Sequence, residues 1–293
     1  MSAQDKQALP RKRVMAMTGE YQRRNYTVHD LVQHKGNGPL VQTMALTPQE
    51  AAAAEVAGLD MINTRWNAER PEEGLALRRA AAETFMTFCM PPTLVASKTE
   101  ALRAAFTAME AGADSIYCAW SLRFIEALAA AGVPVMGHIG LVPRKSTWTG
   151  GLRAVGKTLA QAKSLYGDLK ALENAGAWAV ECEVIPGNVM GVLARRTGLV
   201  TISLGSGPDC DVQHLFAEDI LGVSGAVVPR HAKNYRNLFD AYQKLQAERI
   251  AGFAEYAQDV RSGHFPASDY LLQAESDIVS ELEKLITDDL SKH

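Results

Sequence analysis

Short apolar runs alternate with longer segments rich in Ala, Leu, Glu and Arg along most of this chain, and that alternation is the strongest constraint on its fold. The runs predict strands over 40–44, 60–64, 84–89, 115–118, 133–138, 179–184, 200–204 and 225–228. Helical spacing predicts helices over 48–57, 74–82, 98–111, 121–131, 158–175, 188–196 and 212–221. Several of these close on an Ala-Gly step, at Ala57-Gly58, Ala111-Gly112, Ala131-Gly132 and Ala175-Gly176. Glycine there accepts the left-handed backbone that ends a helix and turns the chain into the next strand. A doubly wound open sheet would show the same local signals. Eight strands alternating with helices over about 200 residues instead fit an α/β protein with a (β/α)8 TIM barrel.

Beyond Pro229 the pattern becomes helical and amphipathic, with helices predicted over 235–260 and 269–290 around the turn Ser262-Gly263-His264-Phe265-Pro266. The expected organisation is an N-terminal segment 1–30, a barrel 31–232 and extra C-terminal helices 233–293 that pack on the barrel or on a neighbouring subunit of a homo-oligomer. The 293 residues, 47% of them hydrophobic, can bury a core of that size. A formal net charge of −3 gives no global basic field to hold nucleic acid or an anionic membrane. Cys89, Cys118, Cys182 and Cys210 are widely spaced without a CxxC pair, as expected of reduced thiols in a cytoplasmic protein. Residues 1–13 are polar and lack the apolar stretch of a secretory signal, and no segment has the length of a membrane span.

Two strand ends carry titratable side chains. The run Val135-Met136-Gly137 ends in His138, and Ala179-Val180 leads to Glu181-Cys182-Glu183 before the break at Pro186. In parallel α/β folds the carboxyl ends of strands form the active-site face. Strand alternation puts Glu181 and Glu183 on one face and Cys182 on the other. A partly desolvated Glu183 suits a general base, and His138 suits polarising a carbonyl or donating to an enolate oxygen. A structural carboxylate paired with a cation, and a histidine satisfied at the rim, would give the same patterns. Gly205-Ser206-Gly207 follows another strand and could cradle an anion, with Ser206 as a contact; Asp211 is read as the N-cap of the next helix. The loop 144–151, polar and ending in Gly150-Gly151, has the make-up of a lid and equally that of an ordinary surface loop.

Taken together, the segments Gly137-His138-Ile139-Gly140-Leu141-Val142-Pro143, Gly150-Gly151-Leu152-Arg153, Glu181-Cys182-Glu183-Val184-Ile185-Pro186, Gly205-Ser206-Gly207-Pro208-Asp209-Cys210-Asp211-Val212-Gln213, Val228-Pro229-Arg230-His231 and Ser262-Gly263-His264-Phe265-Pro266 resemble the ketopantoate hydroxymethyltransferase family, in the family's order. That family is related to pantothenate biosynthesis and belongs to the phosphoenolpyruvate mutase/isocitrate lyase group of barrels. The resemblance implies large oligomers, a branched 2-oxo acid substrate, methylenetetrahydrofolate as one-carbon donor, and magnesium that chelates the oxo acid. It places the family's histidine on His138 and its base on Glu183.

The departures concern the metal. The family's Gly-Asp-Ser aligns with Arg65-Trp66-Asn67, so a metal aspartate falls on Trp66 and a substrate serine on Asn67. A second aspartate falls on Cys89, and the family's Lys-Ile-Glu falls on Tyr117-Cys118-Ala119. Trp66, Cys89 and Ala119 supply none of the oxygen donors magnesium requires, so no metal is expected at these positions; a softer zinc site from Cys89, His138 and Glu183 is an alternative. The expected function is aldol-type C–C bond formation or cleavage on a 2-oxo acid or related carbonyl acid through an enolate. Glu183 and His138 are the catalytic candidates, and Tyr117, Asn67, Arg65, Trp66, Cys89 and Ser206 the substrate contacts. The competing expectation is a non-catalytic binding or regulatory paralogue.

Overall fold

The computed structural model describes residues 11–91, 93 and 95–291. Residues 1–10, for which the sequence argues against a signal, lie outside the described residues, as does Pro92. An antiparallel hairpin, β1 (Lys12–Met15) and β2 (Tyr21–Arg24), opens the described chain. The sequence pattern did not reveal it. Asp114 ties it down, accepting from Arg24 Nε at 2.7 Å, from Arg78 Nη1 at 3.1 Å and from the Met86 amide at 2.9 Å. Helix α1 (Val28–His34) follows, with Thr27 and Asp30 forming a reciprocal capping box.

Eight parallel strands then close on themselves: β3 (Leu40–Met44), β4 (Met61–Arg65), β5 (Phe85–Cys89), β6 (Ser115–Tyr117), β7 (Val135–Gly140), β8 (Ala179–Glu183), β9 (Val200–Leu204) and β10 (Val212–Phe216). The intervening helices are α2 (Pro48–Val56), α3 (Pro71–Ala80), α4 (Lys98–Glu110), α5 (Leu122–Ala130), the single turn α6 (Ser146–Thr149), α7 (Leu159–Asn174), α8 (Gly187–Ala194) and the short α9 (Ala217–Leu221). The TIM barrel read from the alternation is therefore present. Capping boxes at Thr47 and Ser97 start α2 and α4. The expected left-handed glycines follow helices, as at Gly112 (φ +98°) and Gly176 (φ +85°).

Alternation along each strand separates two layers. Outward residues such as Ile62, Met86, Phe88, Ile116 and Val180 pack with Ala105, Ala108, Leu128, Leu169 and Leu172 of the helices. Gly137 leaves room for this packing, because a Cβ there would meet Leu172 Cδ2 at 2.5 Å. Inward residues Leu40, Met61, Phe85, Met136, Ala179, Ile202 and Val212 form an apolar plug, which Leu31 of α1 joins. The barrel is thus filled at its N-terminal end and open for chemistry at the other.

The last strand corrects the sequence reading. Residues 225–228 form an exposed loop, with Val227 96% exposed. The eighth strand is β10, which opens the stretch read as the helix 212–221. It pairs along its whole length with β3 and also joins β9. Asp211 is not an N-cap. Its carboxylate accepts from the Thr201 amide and hydroxyl at 2.8 Å each, from the Gly36 amide at 3.0 Å and from Lys35 Nζ at 2.8 Å. Burial opposes its charge, but the Lys35 and Thr201 bonds outweigh that and hold its pKa below the usual value.

A second unit begins at Asn237. It contains α10 (Leu238–Ser262) and α11 (Ser276–Leu290), the latter starting seven residues later than the spacing predicted. Among the described residues no helix is long and apolar enough to cross a membrane.

Candidate active site

A cavity of about 240 Å³ opens at the carboxyl ends of the strands. β4 supplies Asn63 and Arg65, β5 Cys89, β6 Tyr117, β7 His138, β8 Glu181 and Glu183, and β10 His214 and Phe216. A wider groove of about 990 Å³, lined by Arg11, Arg13, Arg23, Arg24, Arg78 and Arg79, lies on the N-terminal side of β5, away from these strand ends.

The centre of the cavity is a proton-sharing cluster. His138 Nε2 lies 2.9 Å from the Leu141 carbonyl and 3.4 Å from Glu183 Oε2. Its Nδ1 is hydrogen-bonded to the Tyr117 hydroxyl and lies 3.8 Å from Glu181 Oε1. The Tyr117 hydroxyl donates to Glu181 Oε1 at 3.2 Å, so it accepts from Nδ1–H. Nε2 can only donate to the Leu141 carbonyl. With Glu181 ionised, this arrangement puts a proton on both ring nitrogens. Burial disfavours that charge, but the Glu183 hydrogen bond and the charges of Glu181 and Glu183 outweigh it and raise the His138 pKa. Burial, helped by the Glu183 charge, raises Glu181 despite His138. Burial and Glu181 push Tyr117 well above the ordinary phenol range, so it remains a donor.

Backbone geometry fixes Glu183. Val184 adopts φ +50°, a left-handed conformation that a β-branched residue enters only at a cost of roughly 1–3 kcal/mol. Its amide donates to the Leu204 carbonyl at 2.8 Å, and the Glu183 carbonyl accepts from the Leu141 amide at 2.9 Å. Gly140 (φ +88°) permits this approach, since a Cβ there would collide with the Glu183 carbonyl.

The eight residues predicted for the site divide. Arg65, Cys89, Tyr117, His138 and Glu183 line the cavity. Trp66, Asn67 and Ser206 are placed elsewhere. Trp66 is 1% exposed, stacks on Phe88 with ring centroids 5.3 Å apart, and meets α3 where Gly74 leaves room for it. Asn67 accepts from the Glu69 amide at 3.0 Å. The Ser206 hydroxyl donates to the Cys182 carbonyl at 2.7 Å and accepts from the Ile185 amide at 2.9 Å, so it ties strand ends together and is buried away from the cavity. Glu181, Asn63 and His214 belong to the cavity and were not among the predicted site residues. The period of two places Glu181 beside Glu183; His214 was hidden by the misassigned last strand.

The inward residue at the end of β4 is Arg65, one position before Trp66, to which the family's metal aspartate had been aligned. The cavity thus presents a guanidinium at the end of β4, the thiol of Cys89 and the methyl of Ala119. Burial and the Glu181 charge raise the Cys89 pKa and keep it a thiol. Magnesium does not fit this set, which offers no oxygen and one fixed positive charge. Among the described residues, His138, Glu181 and Glu183 form the one group with metal-ligand atoms all within 4.8 Å of one another. Cys89 is not part of it, and both His138 nitrogens are engaged by Tyr117 and Leu141.

Comparison with known proteins agrees with the fold and identifies a family. The family model described as ketopantoate hydroxymethyltransferase matches residues 72–268. The 3-methyl-2-oxobutanoate hydroxymethyltransferase of Pyrobaculum arsenaticum is 34% identical over 256 residues, covering 80% of this chain and 94% of that protein. The enzyme of the same name from Deinococcus radiodurans is 33% identical over 266 residues, covering 83% and 91%. A crystal structure described as a lyase/mutase from Burkholderia cenocepacia covers 85% of this chain and 92% of its own at a TM-score of 0.51; at 12% identity it shows the barrel fold alone. On the family match and on relatives that align nearly end to end, the chain belongs to the ketopantoate hydroxymethyltransferase family of transferases.

Proposed function

We propose that this site makes or breaks a C–C bond next to the carbonyl of a 2-oxo acid or related carbonyl acid, through an enolate formed without the family's magnesium site. The observation that carries the reading is the His138 ring held between two carboxylates and a phenol, with Arg65 at the strand end where the family alignment calls for a metal ligand. Arg65 binds the substrate carboxylate and carbonyl oxygen as a fixed cation. Glu183 takes the proton from the adjacent carbon, and the C–H electron pair moves onto the carbonyl oxygen. His138 Nε2–H, turned from Leu141, donates to that oxygen as charge develops, and Tyr117 and Glu181 hold the ring in register. The enolate carbon then attacks the carbon of formaldehyde, which water releases, together with tetrahydrofolate, from the methylenetetrahydrofolate that the family implies; the formaldehyde C=O π bond breaks, its oxygen takes the proton back from Glu183, and the oxo acid's carbonyl reforms, cleavage being the reverse. A guanidinium stabilises an enolate less than a dication does, so a slower reaction or a more acidic substrate is expected.

The test is exchange of the C3 proton of 3-methyl-2-oxobutanoate in deuterated buffer, followed by NMR. Exchange that persists in EDTA and falls at least about 100-fold in Glu183→Gln supports the reading. Exchange that requires added magnesium overturns the metal-free site. Absence of exchange across a series of carbonyl acids identifies a non-catalytic paralogue.

A further inference from the structure

Two fixed cations line the strand-end cavity, and the enolate reaction uses one of them. Arg65 ends β4. Arg144 is the middle residue of a single tight turn, Pro143–Lys145, which follows β7, and it lines the same cavity as Arg65 and His138. The turn places Arg144 from both sides. Pro143 presets the backbone at its start, and the Lys145 amide donates to the Val142 carbonyl at 2.8 Å. Lys145 itself is engaged, with Nζ donating to the Trp120 carbonyl at 2.7 Å. Among the described residues, neither the Arg144 nor the Arg65 guanidinium forms an ion pair.

The cavity's own carboxylates are engaged elsewhere. Glu183 Oε2 lies 3.4 Å from His138 Nε2, and Glu181 Oε1 accepts from the Tyr117 hydroxyl at 3.2 Å. Arg65 also borders an outer cleft with Glu72 and Glu73. Glu73 is paired there with Arg70 at 2.9 Å, and neither carboxylate pairs with Arg65. The wall near the two cations includes the apolar Met44, Met90, Val142 and Phe216. Two unpaired guanidinium groups on one concave site raise its potential and concentrate anions there. A substrate with one carboxylate neutralises only one of them.

The topology sets where a second anion goes. In the closed barrel β4 and β7 are three steps apart among eight strands, so Arg65 and the turn that carries Arg144 stand on nearly opposite sides of the mouth. His138 of β7 and Glu183 of β8 lie on the Arg144 side. A substrate with its carboxylate on Arg65 and its carbonyl at His138 therefore extends its far end toward Arg144. One planar guanidinium matches one carboxylate through two parallel hydrogen bonds, whereas a phosphate dianion would keep a charge uncompensated. The cavity, about 240 Å³, is below the range of drug-sized sites and suits a short acyclic acid.

Resting on the enolate reading of the same site, we propose that the substrate is a 2-oxo acid with a second carboxylate at its far end, and that Arg144 selects it. Arg144 binds and orients that carboxylate and takes no part in bond making.

The probes are 2-oxoglutarate and 2-oxoadipate. Each is paired with the monoacid that carries an isopropyl group in place of the distal carboxylate, 5-methyl-2-oxohexanoate and 6-methyl-2-oxoheptanoate, so each pair has equal numbers of heavy atoms and the same branched end. Calorimetric titration of the full chain in EDTA is expected to show at least one diacid bound at least about 10-fold more tightly than its partner, as for a charge-assisted pair that stays partly open to water. Arg144→Gln is expected to bring that ratio within about threefold, and Arg144→Lys, which keeps the charge without the planar fork, to give an intermediate value. Arg144 is exposed, so both variants are expected to fold. Arg153→Gln removes a cation outside the cavity and is expected to retain the ratio, which separates a specific contact from the general field. Diacids that bind no better than their partners overturn the proposal. So does a preference that survives Arg144→Gln or is lost equally in Arg153→Gln. Exchange of the C3 protons of the same acids in deuterated buffer tests the enolate reading separately. Exchange without a diacid preference overturns the Arg144 assignment alone. An Arg144-dependent preference without exchange of any probe supports the assignment and overturns the enolate reading alone. Failure of all four acids to bind overturns both.

Discussion

At the residue scale the two buried histidines titrate in opposite directions for opposite reasons. Burial lowers the His138 pKa, but Glu183 and Glu181 outweigh it and raise it above the usual value. Its folded pKa is raised, so its contribution to stability is complete below about 6.5, the unfolded value, and is lost as pH rises through the folded value. Replacing Glu181 by Gln removes one of the charges, and the His138 imidazole, followed by NMR, is expected to titrate at lower pH. An unchanged titration would mean that Glu181 does not act on the ring. Burial shifts His214 down to about 4, against a smaller opposing effect of a backbone hydrogen bond with Gln42. The unfolded chain then binds a proton between about pH 6.5 and 4 that the folded chain does not, so stability falls as pH falls through that window, by up to roughly 3 kcal/mol. Urea unfolding at pH 7 and pH 4.5 should show a smaller acid loss in His214→Phe than in the parent.

At the element scale the closing strand depends on a residue that faces neither the cavity nor the helices. Asp211 joins the start of β10 to Thr201 of β9 and to Lys35 and Gly36 after α1. Asp211→Ala leaves the buried Thr201 amide and hydroxyl and a half-buried ammonium without a partner and should destabilise by about 3 kcal/mol, read as a shift in the urea midpoint at constant slope. A loss below about 0.5 kcal/mol would show that β10 is held by its ladder alone. The same element explains the error in the sequence reading. A Cys-Asp step before an apolar stretch looks like a helix start, and α9 does begin five residues later. What distinguishes the strand is its alternation, with Val212 in the plug and His214 in the cavity.

At the scale of the whole molecule, Ile278, Val279, Leu282, Leu285 and Ile286 leave an apolar stripe exposed on α11. Spacing of three and four residues puts them on one face, and an exposed stripe of that kind marks an association surface. The barrel or a neighbouring subunit is the expected cover, and the oligomer that the sequence suggested is the arrangement that can be tested. Light scattering should give a mass above one chain's 31.7 kDa, and Leu282→Lys with Ile286→Lys should shift it toward the monomer. A parent protein that is monomeric at micromolar concentration would remove this expectation.

Much of the molecule was legible before its structure. Apolar runs with a period of two, Ala-Gly steps after helices and polar residues at strand ends are local signals, and they specified seven of the eight strands together with His138 and Glu183. Trp66 and Arg65 could not be assigned from the alignment because a shift of one residue along a strand exchanges its faces. The packing of Trp66 on Phe88 and beneath α3 decides which of the two enters the cavity. The closure of the barrel, Glu181 as a partner of Tyr117 and His138, and the place of His214 in the cavity were decided only by tertiary structure. Thr43 donates to Leu215, 172 residues away, and no local propensity records such a pairing. The sequence by itself determined which segments become strands and which strand ends carry charge; three-dimensional packing determined which side chains share the cavity, because that depends on register between strands far apart in the chain.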